Sequence, residues 1–482
     1  MRSEANRPVT EPDVAIIGGG LAGLAAGVAL ADAGVHVQVF EATDALGGRA
    51  RSVRDEATGD RVDIGPHIVL SEYRNFLRLL EVLGTRDALC WQGRRFITLV
   101  DEPRPVTIRT HRLPAPLHLL PDLLTAPQIS FGDLLSNARL FWRTMRLRRD
   151  DLLALDALAA DTYLARMHVS ARFVDWFWRS AAMTIVNVPL ERCSTAALLG
   201  FFRYMIGVAG FQVGLPGEAL DALYAEQARA HIEARAGRVH LEATVRQLID
   251  NGNALAGLRL ADGSEVHARR CIVSVPPREL HALLPRAWTH RAELAPLGAI
   301  EPSPYVSVYL WFDRKLTQQR FWTKVYSPRT LNFDFYDLAN IRRGWSGRGS
   351  LIASNIIYST RIGAMSDADI VAATVRELGE YLPTVAAATL QHARVHRIPM
   401  AVPAAHPDVE RARPAAKTTV EGLYLAGDWV DTGLPFSMES AVRAGWLAAE
   451  AVLADMCRPR TIASPLPEME GIVRLVGGRA PR

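Results

Sequence analysis

Lysine is nearly missing from this chain. Of its 55 basic residues only Lys315, Lys324 and Lys417 are lysines, and the rest are arginine. Against 51 acidic residues they leave a formal charge of +4, too small to argue for a nucleic-acid partner. Cysteine is scarce as well. Cys90, Cys193, Cys271 and Cys457 are scattered, with no C-x-x-C and no Cys/His ligand spacing. Neither a disulfide framework nor a metal site is expected, and a reducing, cytoplasmic compartment fits. No apolar run is long and clean enough to span a bilayer. The first such run is interrupted by glycines and followed by a strand, so it reads as neither signal nor membrane segment. The polar stretch Met1 to Pro12 reads as a short disordered leader. What remains is an ordinary globular balance in 482 residues, too many for one core, so two or three domains are expected.

What the chain does have is a glycine-rich stretch near its start. Val14 to Ile17 reads as a buried parallel strand. Gly18, Gly20 and Gly23 follow with the spacing G-x-G-x-x-G, and Leu21 to Ala33 reads as a helix closed by Gly34. A second strand, Val35 to Phe40, ends on Glu41. Each part has a physical task. Gly18 permits the tight turn, Gly20 lets a pyrophosphate approach the backbone, and Gly23 lets helix and strand pack closely. The helix N-terminus, with Leu21 and Ala22, offers free N–H groups and a positive dipole end to phosphate. Glu41 and its neighbour Ala42 stand where an acid can accept from the adenosine ribose. A glycine-rich helix packed on a sheet for structural reasons alone would leave Glu41 unexplained. The stretch is therefore read as a dinucleotide site.

Further along, Gly47-Gly48-Arg49 combines close ligand approach with a guanidinium fork suited to pyrophosphate. Gly65-Pro66-His67 marks a tight backbone passage, and His67 has two readings, a ring near the cofactor or a core histidine. From Thr85 to Gly214 the pattern is mostly helical, with helices at Leu134 to Met145 and Ala154 to Met167. Arginines at 139, 143, 146, 148 and 149 alternate there with Leu140, Phe141, Trp142, Met145 and Leu147. That segment is either a domain helix with a solvated basic face or a peripheral contact with an anionic membrane surface. Ala196 to Phe211 is apolar nearly all round and reads as a core helix or a tunnel wall. A helix from Leu220 to Ala236 and a strand from Val239 to Ile249 lead into a β-meander, turning at Asn251-Gly252 and Asp262-Gly263 and returning through Cys271 to Val275. A strand at Tyr305 to Phe312, aromatic segments and a helix from Asp367 to Tyr381 pair with the earlier helical region as a second domain. Near the end, Gly427-Asp428 closes a strand where a carboxylate can bind ribityl hydroxyls. Ser437, Met438 and Ala441 begin a helix running to Met456, whose positive end suits a reduced flavin ring. The tail beyond Cys457 reads as loosely attached.

Together these blocks resemble the FAD-dependent amine oxidase and phytoene desaturase superfamily. Val186 to Arg192, Leu113 to Leu120 and Gly427 to Pro435 look most like its squalene-associated desaturases, a group that includes hydroxysqualene dehydroxylase of the hopanoid pathway. The resemblance implies an α/β fold: a discontinuous Rossmann-type FAD-binding domain with a β-meander, plus a mixed, largely helical substrate domain. It implies FAD as cofactor and Val245 as a backbone contact to adenine. The implied boundaries are FAD-binding segments at 1–84, 215–300 and 416–456, substrate segments at 85–214 and 301–415, and a tail at 457–482.

Amine oxidases of this superfamily usually carry a lysine on the strand matching Tyr305–Phe312. Here Ser307 or its neighbour stands at that place, and Ser437 stands where an aromatic is usual. Both departures argue against an amine substrate, and the apolar helices suit instead a long isoprenoid hydrocarbon of the squalene or carotenoid type. The reaction expected is hydride transfer at an allylic carbon, by desaturation or by reductive dehydroxylation, the latter with His67 and Asp431 as candidate acids. The electron donor or acceptor is left unassigned. The competing readings are a flavin amine oxidase releasing peroxide and a non-catalytic FAD-binding protein.

Overall fold

A computed structural model of the chain describes residues 11–476. Most of the leader lies outside this range. Val14–Ile17 (β1) is buried at all four positions, as a strand flanked on both sides must be. It pairs in parallel with Val37–Phe40 (β2) and with Cys271–Val273 (β4). Arg238–His240 (β3) and Leu423–Leu425 (β5) complete a five-stranded parallel sheet in the order β3-β2-β1-β4-β5. Three distant stretches of sequence thus build one nucleotide-type sheet.

Leu21–Asp32 (α1) covers the sheet and is buried along every residue but Asp32. Its small side chains allow a second helix, Met438–Asp455 (α2), to lie directly on it. A Cβ on Gly445 of α2 would sit 2.3 Å from the Ala22 carbonyl oxygen, so the two backbones touch. The first and last parts of the chain are joined at that contact.

The second unit is a seven-stranded sheet. From one edge it runs Leu390–Pro403, Pro302–Phe312, Leu351–Ile356, Asp334–Asp337, Phe321–Lys324, Arg95–Val100 and Val106–Arg109. All neighbours are antiparallel except Phe321–Lys324 with Arg95–Val100. The region after Thr85 therefore opens with strands, not helices, and residues from both sides of the nucleotide segments share one sheet.

Several expected elements are interrupted. The helix expected over 134–145 is two, Phe131–Leu135 and Ala138–Arg146. Asn137 sits between them, fully buried, accepting from the Trp178 indole N–H at 3.0 Å and donating to the Asp133 carbonyl at 3.0 Å. The helix expected over 154–167 is Arg149–Ala154 and Ala160–Arg166, and that over 220–236 is a short turn followed by Ala225–Glu233. The single strand expected over 239–249 is β3 plus Val245–Asp250. The chain leaves the parallel sheet through Glu242 at φ +53 and enters the three-stranded antiparallel meander. The tail is not loose: Met469 packs on Gly207, Leu466 on Gly433, and Val473 is fully buried. Among the described residues no helix is long and apolar enough to cross a membrane.

Candidate active site

The turn after β1 is held at Gly18, whose φ of +102 favours glycine, with its N–H on the Phe40 carbonyl. Gly20 begins α1, and no side chain caps that helix. Its first-turn N–H groups are left for a ligand, and the dipole selects an anion. Across from Gly20 stands Gly48, at φ +55. A Cβ on Gly20 would meet nothing nearer than the Gly48 Cα at 3.9 Å. Two glycines at an uncapped helix N-terminus thus leave open a slot of the kind a diphosphate needs. Gly23 acts differently. A Cβ there would fall 2.1 Å from the Gly18 carbonyl oxygen, so its task is packing, as its place in the spacing implies.

Glu41 follows β2 and is fixed at both oxygens, accepting from the Gly19 N–H at 2.8 Å and the Thr43 N–H at 2.9 Å. Arg49 and Asp428, assigned separately from sequence to pyrophosphate and ribityl, meet as an ion pair. Nη2 reaches Oδ1 at 2.7 Å and Nη1 reaches Oδ2 at 3.3 Å. Both still face the cavity. Gly427 precedes the aspartate at φ +140. Ser437 caps α2, its Oγ accepting from the Ser440 N–H at 3.1 Å. Glu439 was not singled out from sequence. It accepts from the backbone N–H groups of Asn75 and Phe76 at 3.1 and 2.8 Å, capping the helix Arg74–Val82 and tying it to α2. Burial pushes its carboxyl up, against those hydrogen bonds.

Every residue proposed from sequence for cofactor binding except Gly23 lines one cavity of about 790 Å³. Gly65, Pro66, His67 and the meander residue Val245 are among them. The cavity continues past the glycine slot between apolar side chains including Leu99, Ile108, Phe177, Phe201, Met205 and Phe321. The helix Thr195–Gly207 supplies part of this wall, one of the two readings its apolarity allowed. Asn187, at φ +68 in the Val186–Arg192 segment, also lines the cavity and accepts on Oδ1 from the Tyr305 hydroxyl.

The two acid candidates fare differently. His67 lines the cavity, but burial lowers its pKa, outweighing the opposing pull of Asp63 and the Gly65 carbonyl. With Nδ1 donating to the Gly65 carbonyl at 2.7 Å, the neutral ring turns an acceptor nitrogen, not a proton, to its surroundings. Asp431 is not on the cavity. It pairs with Arg149 and accepts from the Gly433 N–H at 3.1 Å. Burial would raise its pKa, yet Arg149, Arg413 and that N–H together hold it below the ordinary value. A carboxylate so held is a poor proton donor, which corrects the expectation drawn from its place in the Gly427 to Pro435 block.

The family model for flavin containing amine oxidoreductases matches residues 21–453, nearly the whole fold just described. The chain belongs to that family. It is an FAD-dependent oxidoreductase, and the open glycine slot, the Glu41 carboxylate and the Arg49–Asp428 pair lining the cavity are chemically suited to such a cofactor. Among curated relatives, 15-cis-phytoene desaturase of Synechococcus elongatus is 28% identical over 483 residues, covering 94% of this chain and 98% of that one. The tomato (Solanum lycopersicum) chloroplastic/chromoplastic 15-cis-phytoene desaturase is 27% identical over 466 residues, covering 93% and 79%. Of solved structures, putrescine oxidase bound to putrescine superposes with a TM-score of 0.70 at 16% identity, over 93% of this chain and 100% of that one. Cyclohexylamine oxidase from Brevibacterium oxydans gives 0.69 at 18%, with the same coverage. At such identities the structural likeness speaks for the fold alone.

Sequence reasoning also missed the polar residues deeper in the cavity: Thr323, Asp334, Tyr336 and Asn355. A signal was present. In Asn332-Phe-Asp-Phe-Tyr-Asp337 a carboxylate alternates with aromatics at the strand period, which puts it on the face opposite Phe333 and Phe335.

Proposed function

We propose that this flavoenzyme acts on a long apolar isoprenoid, of squalene, hydroxysqualene or carotenoid type, by hydride transfer at an allylic carbon. The observation that carries the reading is the continuity of the cavity, from a dinucleotide slot into a greasy wall, with Arg49 and Arg246 the only lysine or arginine side chains lining it among the described residues. The strand Pro302–Phe312 has no lysine, and Ser307 is fully buried on it. The curated relatives named above act, by their names, on phytoene.

On this reading Gly20, Gly48 and the α1 N-terminus hold the diphosphate, Glu41 the adenosine ribose, and Val245 the adenine. Arg49 and Asp428 serve the diphosphate and ribityl chain, and Ser437, Met438 and Ala441 bring the α2 N-terminus to the ring. Bound FAD supplies a two-electron centre that takes or gives a hydride. The protein's own share is to orient the chain and exclude water. Residues 1–84, 215–300 and 416–456 form the cofactor unit, with 85–214 and 301–415 the substrate unit. Oxidised and reduced holoenzyme incubated separately with phytoene and with hydroxysqualene test the reading. The expected result is conversion of one of them in one redox state. Turnover of neither, with peroxide released from an amine panel, would replace it by the amine oxidase reading.

The helical lobe also presents Leu124, Phe131, Leu135 and Trp142 to solvent, Phe131 being 70% exposed. Arg139, Arg143 and Arg146 are exposed on the same segment, and Leu475, 83% exposed, belongs to the short helix Gly471–Val476 that packs beside it. This face supports peripheral contact with an anionic bilayer. Co-sedimentation with phosphatidylglycerol vesicles is expected, and Phe131→Ser with Trp142→Ser should lower binding roughly tenfold or more. Equal binding by the double variant would remove the membrane contact from the proposal.

A further inference from the structure

A row of polar side chains crosses the seven-stranded sheet where it floors the cavity. Strand register sets Ser307 opposite Asn355, Asn355 opposite Asp334, and Asp334 opposite Thr323. Residues directly opposed across a ladder share a face. The Ser307 hydroxyl donates to Asn355 Oδ1 at 2.7 Å. Asn355 donates its backbone N–H to Asp334 Oδ1 at 2.9 Å and its Nδ2–H to Oδ2 at 3.1 Å. The Tyr336 hydroxyl donates to the same Oδ2 at 3.0 Å. The row ends at Thr323, which is fully buried and whose Oγ1 has no hydrogen-bond partner among the described residues.

Thr323, Asp334, Tyr336 and Asn355 all line the cavity. Asp334 is only 8% exposed and forms no ion pair among the described residues. Burial pushes its carboxyl up to about 6, against the hydrogen bonds from Asn355 and Tyr336. A buried hydroxyl without a partner beside a buried carboxyl without a cation is costly in an apolar setting. Polar groups placed sparsely in a greasy pocket fix a ligand's orientation. The row begins near the flavin-proposed side, since a Cβ on Gly65 would lie 3.1 Å from Ser307 Oγ. Asp334 lies two strands on, about 10 Å across the sheet.

We propose that Thr323 and Asp334, backed by Asn355 and Tyr336, form a subsite for one oxygen atom, hydroxyl or carbonyl, on an otherwise apolar substrate. The ligand's oxygen accepts from the Thr323 hydroxyl, and an alcohol's O–H donates to an Asp334 oxygen. The chain attached to that oxygen rests on the isoprenoid reading, whereas the subsite rests on the row.

The test is equilibrium binding to oxidised holoenzyme, read from perturbation of the flavin spectrum, with farnesol, the matching hydrocarbon farnesene, and farnesylamine. Farnesol is expected to bind on the order of tenfold tighter than farnesene. Thr323→Val, nearly isosteric, should reduce that preference to within about twofold while leaving farnesene affinity unchanged, and Asp334→Asn should lower it as well. If Asp334→Asn fails to fold, Thr323→Val carries the test alone. Equal affinity for farnesol and farnesene in the parent protein overturns the subsite and leaves the isoprenoid reading standing. So does parallel loss of both ligands in Thr323→Val, which is what a purely structural role predicts. Tighter binding of farnesylamine than of farnesol assigns Asp334 to an ammonium and overturns the proposal. Binding of none of the three overturns the subsite together with the isoprenoid reading.

Discussion

Gly23→Ala is expected to yield a protein that melts early and is purified without flavin, whereas Gly20→Ala should fold normally and still lose flavin. The two residues stand three apart at the same helix end, yet the added methyl meets different things. At Gly23 it would lie 2.1 Å from the Gly18 carbonyl oxygen and 2.6 Å from Ser274 Oγ. The first is backbone and cannot turn aside, so α1 must lift from β1, where both are buried. Overpacking of this kind costs about 3 kcal/mol, and the apparent Tm should fall by roughly 3 °C. At Gly20 the backbone, φ −77 and ψ 178, admits alanine, and the nearest atom is 3.9 Å away. The methyl would occupy the slot facing Gly48, where the diphosphate is proposed to pass. Flavin affinity should fall on the order of a hundredfold, about 2.8 kcal/mol, with the melting of the flavin-free protein unchanged. Absorbance near the flavin band and thermal melts with and without added FAD read both effects. A Gly20→Ala protein as yellow as its parent would move the diphosphate out of that slot.

How much of this was legible before any coordinates follows the range of the interactions. β1, the glycine turn, α1 and Glu41 are set within one βαβ unit, so spacing alone places them. The helix Asp367–Tyr381 appears as expected because its cap, Ser366, and its apolar period are local. What failed is nonlocal. Asp431 reads as a free acid in its own block, but the arginine that neutralises it lies at position 149. The helix break at Asn137 is stabilised by Trp178, and the tail is docked by Gly207 and Gly433. No window of the sequence contains those pairs. Of the polar row from Ser307 to Thr323 only Asp334 has a local signal, because the row itself exists only once three strand registers are fixed.

The same holds for the pair expected to matter most to stability. Asp63→Asn should destabilise the protein by about 3–5 kcal/mol, the usual cost of leaving a buried charge without its partner. Arg342 Nη2 reaches Asp63 Oδ2 at 2.7 Å, and the two side chains are 4% and 3% exposed. Asp63 is otherwise well served: Oδ1 accepts from the Ser52 hydroxyl at 2.7 Å and the Leu220 N–H at 2.9 Å. Arg342 is not, since its Nε and Nη1 are buried with no partner among the described residues. Removing the carboxylate charge therefore strands the guanidinium, while Arg342→Met leaves an anion that still has two neutral donors and should cost less. The strand Arg61–Asp63 falls in the proposed cofactor unit, and Arg342 follows the helix Leu338–Ile341 beside the large sheet. The pair is thus a bolt between the proposed units. Its loss should bring flavin release and loss of tertiary structure together in one transition at lower temperature. Asp63→Leu combined with Arg342→Leu, which removes both charges, should recover part of the stability lost in Asp63→Asn. If Asp63→Asn melts within about 1 °C of the parent, the pair contributes nothing at that contact, and the units are held by their other contacts, among them the Trp311 indole and Arg348 on Asp60.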